Sequence, residues 1–203
     1  MAGYSKIWVA TPDKVNHNTK GYTSKVIFNY QSIEGISIDS AEEIFPNIIT
    51  TDFNYKGSNI LPADYFSDAD GRTFRITMYF LQELVGDKLS INLKMTDIDA
   101  VNQVNVAIPE FAPITTNTGT FTLAKYECEL SAFKTTTGLA VQGVGNIMYF
   151  NSGTDDGSNV VFLPIYRPGA LFTGPAISGY SIDLINPNGE PITVLSVIIE
   201  EIS

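Results

Sequence analysis

A chain of 203 residues, 44% of them apolar, is large enough to bury roughly 70% of its unfolded surface around one core, and all-β domains of this size commonly stay undivided. Its formal charge of −10 disfavours duplex DNA or another polyanion as a partner for the bulk of the surface. With one cysteine, Cys128, and one histidine, His17, the chain forms neither an internal disulfide framework nor a multi-histidine zinc site.

The first 35 residues differ from the rest. Four lysines against Asp13 and Glu34 leave them at +2, with −12 on residues 36–203. The start, Met1 to Asp13, lacks the apolar run of about 7–15 residues of a secretory signal, and no apolar stretch is long enough to cross a bilayer. This predicts a soluble chain not routed through secretion. Ile7, Trp8, Val9, Val26, Ile27 and Phe28 are scattered among Asn, Lys, Thr and Gly, too sparsely to form a core of their own. The expectation is an extended arm over 1–35, carrying one or two short strands, followed by a β-domain over 36–203. Soluble monomers rarely leave such apolar groups exposed together, so these six are the candidate assembly contacts.

From Ile36 to Phe45 a strand-like start runs into Glu42 and Glu43, and Pro46, Gly57 and Pro62 then divide the chain into pieces of strand length. No helical period lasts beyond a turn or so. The stretch that organises the rest is Asn59–Leu81. After a short apolar strand and an Asp/Gly-rich turn, Phe74, Ile76, Met78 and Phe80 alternate with Thr73, Arg75, Thr77 and Tyr79, the period of a strand with one buried face.

Leu89, Ile91, Leu93 and Met95 repeat the device, with Lys94 among the outward residues, and the intervening Val85-Gly86-Asp87-Lys88 predicts a hairpin with the preceding strand. Residues 97–119 read as a long loop with one edge strand near Val104–Ile108. Thr120–Phe133, with Ala124, Tyr126, Cys128 and Leu130 inward, pairs across a Thr/Gly turn with Leu139–Phe150. Val160–Tyr166, a strand holding Tyr180, Ile182 and Leu184, and a closing strand Ile192–Ile202 complete the series. The closing strand is apolar on both faces, so it belongs in the middle of a sheet, its outer face covered by the arm or by another subunit. These eight to ten strands, at the spacing typical of sandwiches, predict an all-β, antiparallel β-sandwich.

Catalytic and metal chemistry find little support. Asp68-Ala69-Asp70-Gly71 starts like a calcium loop but lacks the later ligands, so a hairpin turn is expected. Asp155-Asp156 reads as a loop tip, and Asp97 with Asp99 as solvated loop charges. Any triad would need His17 from the arm. The chain is not expected to be an enzyme or to hold a cofactor or metal. Tyr79, Tyr149 and Tyr166 keep glycan binding open.

A resemblance carries the functional expectation. The order Glu43-Ile44-Phe45, Ile60-Leu61-Pro62-Ala63-Asp64-Tyr65-Phe66, Gly71-Arg72-Thr73-Phe74-Arg75-Ile76, then Leu89 to Met95, Tyr126 to Leu130, Ala140 to Gly143 and Ile192 to Glu201 resembles the single jelly-roll domain of structural proteins of large double-stranded DNA viruses and tailed phages. It covers roughly residues 36–203; the stretch Asn47–Lys56 and the arm depart from it. The resemblance implies a single jelly roll located in the virion. The role it implies is that of a capsid vertex (penton) or minor capsid component, with itself as homo-oligomer and other capsid proteins as partners, without direct nucleic-acid binding. The alternative is a receptor- or glycan-binding fibre head.

Overall fold

The computed structural model describes residues 24–52, 54–66, 71–83, 91–98, 103–107, 121–136, 138–151, 159–166, 170–173, 179–187 and 189–202. Ile7, Trp8, Val9, His17, Asp68, Asp70, Asp99, Asp155 and Asp156 lie outside them. The elements are β1 (Ser24–Ile38), α1 (Ile44–Thr51), β2 (Tyr55–Gly57), β3 (Ile60–Leu61), a 3-10 turn (Ala63–Phe66), β4 (Arg72–Glu83), β5 (Asn92–Asp97), β6 (Gln103–Ala107), β7 (Phe121–Lys134), β8 (Gly138–Asn151), β9 (Asn159–Tyr166), β10 (Ala170–Thr173), β11 (Tyr180–Ile185) and β12 (Ile192–Ile202).

Two antiparallel sheets face each other as a β-sandwich. The large sheet has the order β10-β8-β7-β4-β12-β1-β2, with β9 also on β8; the small sheet has the order β3-β11-β5-β6. As the alternation predicts, Phe74, Ile76, Met78 and Phe80 of β4, Ala124, Tyr126, Cys128 and Leu130 of β7, and Tyr180, Ile182 and Leu184 of β11 are all buried in one core. Burial pushes the Cys128 thiol up to about 12, so little reactive thiolate is available. The β7–β8 hairpin forms as expected, with Leu123 opposite Phe150 and Lys134 opposite Leu139, and β6 is an edge strand among the described residues.

Four expectations are corrected. The boundary at residue 35 falls inside β1, which pairs with β12 from Ser24 to Ile38 and carries Phe28 and Tyr30 into the core. Residues 24–35 are therefore part of the sandwich. Nor do β4 and β5 pair: β4 lies between β12 and β7, while β5 lies between β11 and β6 in the opposite sheet. A period of two specifies which face of a strand is buried, not which strand lies beside it.

The third correction is α1, where no helix is expected. Its buried residues are Ile44, Phe45 and Ile48, and Glu43 stands at its N-cap. Pro46 thus sits in the first turn, where the missing N–H has no intrahelical partner to lose. The ring of Phe45 meets Phe28 edge-on at 4.9 Å, so tertiary packing holds a helix too short to be stable alone.

The closing strand gives the fourth. β12 does lie mid-sheet, but a register shift between Val194 and Ser196 inserts an extra residue at Leu195. This β-bulge reverses the alternation, so Ile192, Val194, Val197, Ile199 and Glu201 all face inward, while Leu195 and Ile198 are half-buried. Much of the two-faced apolar pattern is therefore one face read across a bulge. Inward-facing Glu201 accepts from Tyr65 Oη at 2.6 Å and pairs with Arg72 Nη1 at 2.5 Å. The Arg72 guanidinium lies 4.9 Å above the Tyr65 ring. Burial opposes the Glu201 charge, but the hydrogen bonds from Tyr65 and Arg72 outweigh it and lower the pKa; burial and the Glu201 carboxylate together push Tyr65 up to about 12. The segment before β4 is thereby fastened to the last strand.

Candidate assembly surface

Of the six expected contacts, the three that are described have three different fates. Val26 is 52% exposed, whereas Phe28 is fully buried and Ile27 is partly buried against the core. The cause is a second bulge, between Val26 and Phe28, which turns Val26 outward and Phe28 inward although they are two residues apart. Phe28 is thus a core residue and not an assembly contact.

Val26 ends a row running across the outer face of the large sheet. It stands opposite Glu200, Glu200 opposite Arg75, Arg75 opposite Glu129, and Glu129 opposite Val144, which is also about half exposed. Arg75 Nη2 donates to Glu129 Oε1 at 3.0 Å, and that bond raises the Arg75 pKa. Adjacent rows carry Ile202, Thr73 and Ser131, with the two hydroxyls 3.2 Å apart, and Ile198, Thr77 and Glu127; Glu127 pairs with Lys125. Exposed ion pairs of this kind contribute little to folding. The row from Val26 to Val144 is polar at its middle, at Glu200, Arg75 and Glu129, and apolar on either side.

A protrusion that the sequence reading missed lies on β1. Between Gln31, opposite Ser196, and Ile36, opposite Val194, β1 holds four residues where β12 holds one. Ser32-Ile33-Glu34-Gly35 loops out, and Ile33 at its tip is fully exposed. The loop is built: Gly35 N donates to Ser32 Oγ at 3.1 Å, and Gly35 adopts φ +76°, where an added Cβ would lie 2.6 Å from Thr193 Cγ2. A depression of about 650 Å³ borders it on the side of Asp52 and Asn54, and one of about 470 Å³ on the side of Leu195. The available signal was a lone Ile set between Ser and Glu-Gly, a turn composition inside an apparent strand.

The small sheet carries a buried ionic cluster on its outer face. Lys94 of β5 and Asp183 of β11 are register partners, and both are only 5% exposed, although alternation turns them away from the core. The segment entering α1 covers them. Lys94 Nζ pairs with Glu43, Asp183 Oδ1 accepts from Leu184 N at 2.7 Å and from Phe45 N at 3.4 Å, and Glu43 bridges to Ile185. Burial, and then the charge of Glu43, push Asp183 up to about 7, while the hydrogen bond from Lys94 lowers Glu43 against its own burial. The balanced state is one cation, one carboxylate and one protonated acid. The cluster pins the start of α1 to the small sheet.

A pH dependence follows from this cluster. The folded chain holds a proton on Asp183 that the unfolded chain releases near pH 3.8, so this group's stabilising contribution is full below that pH and is lost as pH rises through about 7. Glu43 has the opposite sign: its contribution is present above about 4.5 and is lost as pH falls into the acid range. Asp183→Asn keeps the acceptor oxygen without the charge. The variant should gain stability relative to the parent, on the order of 1–3 kcal/mol, between pH 5 and 8. Urea unfolding across that range checks it; a pH-independent difference refutes the assignment.

Among the described residues no group of three or more His, Cys, Asp or Glu is placed to hold a metal, and no helix is long and apolar enough to cross a membrane. No family model, no curated protein and no solved structure matches the chain.

Proposed function

We propose that the chain is a viral structural protein, a capsid vertex or minor capsid component built on a single jelly roll, which assembles with copies of itself and with other capsid proteins. The observation that carries this reading is the strand order. A jelly roll winds eight strands so that the first, eighth, third and sixth form one sheet and the second, seventh, fourth and fifth the other, an architecture that recurs in viral capsid domains. Taking β1, β3, β4, β5, β6, β7, β11 and β12 as those eight strands, the sheets run β1-β12-β4-β7 and β3-β11-β5-β6. β8, β9 and β10 fall between the sixth and seventh strands and extend the first sheet. An agreement of two four-strand orders supports the resemblance independently of the residues that suggested it.

The role is structural and not enzymatic, carried by the sheet faces and the amino-terminal segment.

Because β1 belongs to the core, the informative truncation removes residues 1–23 and not 1–35. The full chain is expected in purified virions at a fixed copy number, and the chain lacking residues 1–23 is expected to fold but not to enter particles. Quantitative mass spectrometry of virions measures both. Absence of the full chain from particles, or normal entry of the truncated one, refutes the assembly role.

A further inference from the structure

The depression beside Ile33 is lined by carboxylates and lies where β2 stops pairing with β1. It opens where β2 departs from β1: β2 covers the β1 edge only from Phe28 to Tyr30, and beyond Tyr30 the floor is formed by Gln31–Ile36 with Asp52 and Asn54 opposite. Among the described residues its lining contains two carboxylates, Glu34 and Asp52, and no cation. Asp52 is fixed in place, accepting from Tyr30 Oη at 3.2 Å and from Asn54 N at 3.0 Å. Ile33 stands fully exposed at the rim on a loop braced by the hydrogen bond from Gly35 N to Ser32 Oγ. Orientation is therefore already set before anything binds, which lowers the entropic cost of association.

We infer that this groove receives residues 1–23 of a second copy of the chain, with Ile7-Trp8-Val9 against Ile33 and the flanking lysines facing Glu34 and Asp52. The inference rests on the assembly reading and names the surface it uses. Residues 1–23 hold Lys6, Lys14 and Lys20 against Asp13, a net +2, while residues 24–203 carry −12, so the charges are complementary. Twenty-three residues reach roughly 75 Å when extended, enough to span to a neighbour. The segment joins the sandwich at Ser24, and between that point and the groove β2 already occupies the same edge of β1. A strand folding back along β1 within its own copy would meet β2, whereas a segment from another copy approaches the groove from outside.

Trp8 is the only tryptophan, so the full-length protein reports the docking by itself. Over one concentration range, Trp8 emission should move to shorter wavelength and the sedimenting mass should rise. Added salt should shift both to higher concentration. Ile33→Asp and Glu34→Lys, both at exposed positions that leave the core untouched, should each raise that range at least about tenfold. An excess of a peptide of residues 1–23 should return the mass to that of the monomer.

Three results would overturn the inference. They are no change in emission with concentration, a blue-shifted emission already present in the diluted monomer (docking within one copy), or association that both variants leave unaltered (docking elsewhere). Virion incorporation separates this inference from the function it rests on. If Ile33→Asp enters particles normally while the chain lacking residues 1–23 does not, the groove is refuted and the assembly role stands. Association sensitive to Ile33 in a chain absent from virions gives the converse.

Discussion

Phe74→Ala is expected to lower the folding free energy by about 3–5 kcal/mol. Phe74 is fully buried on β4, opposite Leu130 on one side and Glu201 on the other. Its ring lies 6.1 Å from Tyr65 and 6.1 Å from Phe66, edge-on, and Phe66 in turn meets Tyr180 of the small sheet at 5.6 Å. Phe74, Phe66 and Tyr180 thus form a continuous aromatic bridge between the two sheets. Truncation removes its footing on the large sheet, and the hydrogen-bonded strands on both sides of β4 resist collapse into the space. Chemical denaturation should show a lower midpoint with an unchanged slope. Val144→Ala, on the half-exposed outer face, should stay within about 0.5 kcal/mol of the parent. A loss below about 1 kcal/mol for Phe74→Ala would mean that the space closes and that the bridge is not a support.

Asn186→Ala is expected to cost about 2–4 kcal/mol without removing any apolar contact of note. Asn186 is fully buried in the connection between β11 and β12. Its amide Nδ2 donates to Ile38 O at 3.1 Å, Asp39 O at 3.2 Å and Glu190 O at 3.0 Å. Its backbone N–H donates to Glu42 O at 3.1 Å, and its carbonyl accepts from Ala41 N at 2.7 Å. The side chain therefore ties the end of β1 to the turn into β12, while the backbone of the same residue holds the approach to α1. Alanine strands carbonyls that have already lost water, each costing about 1–3 kcal/mol when unsatisfied. Asn186→Asp separates this from a loss of volume: it keeps the shape but replaces the donor by an acceptor, and it should be at least as damaging as Ala. If Asp is tolerated in thermal unfolding at neutral pH, the hydrogen bonds are not what holds the corner.

Local regularities that depend only on neighbours along the chain were legible. Alternation identified the inward residues of β4, β7 and β11, and Thr135 to Gly138 announced the β7–β8 hairpin. The boundary at residue 35 was not legible, because β1 already pairs with β12 from Ser24. A bulge at Ile27 made Phe28 a core residue, and the same device at Leu195 produced the two-faced look of β12. An inserted residue changes which side of the sheet a chain faces without changing its composition, so a period count runs straight through it.

The candidate surface divides in the same way. Val26 was legible as an exposed apolar residue. Ile33 was not, because its exposure comes from four residues of β1 matching one of β12, a relation between strands that lie far apart in the chain. Lys94 and Asp183 sit at outward positions, and burial overtakes them only because the entry to α1 folds across the small sheet.

By itself, then, the sequence determined an antiparallel all-β chain, the inward residues of its regular strands and the sign of its charge, since side-chain period and charge are local properties. Tertiary structure alone decided which strands are neighbours, where bulges reverse a face, which charged residues are enclosed and that Ile33 stands at the rim of a groove. Each of these depends on contacts between distant segments, whose free energy no single stretch of the chain contains.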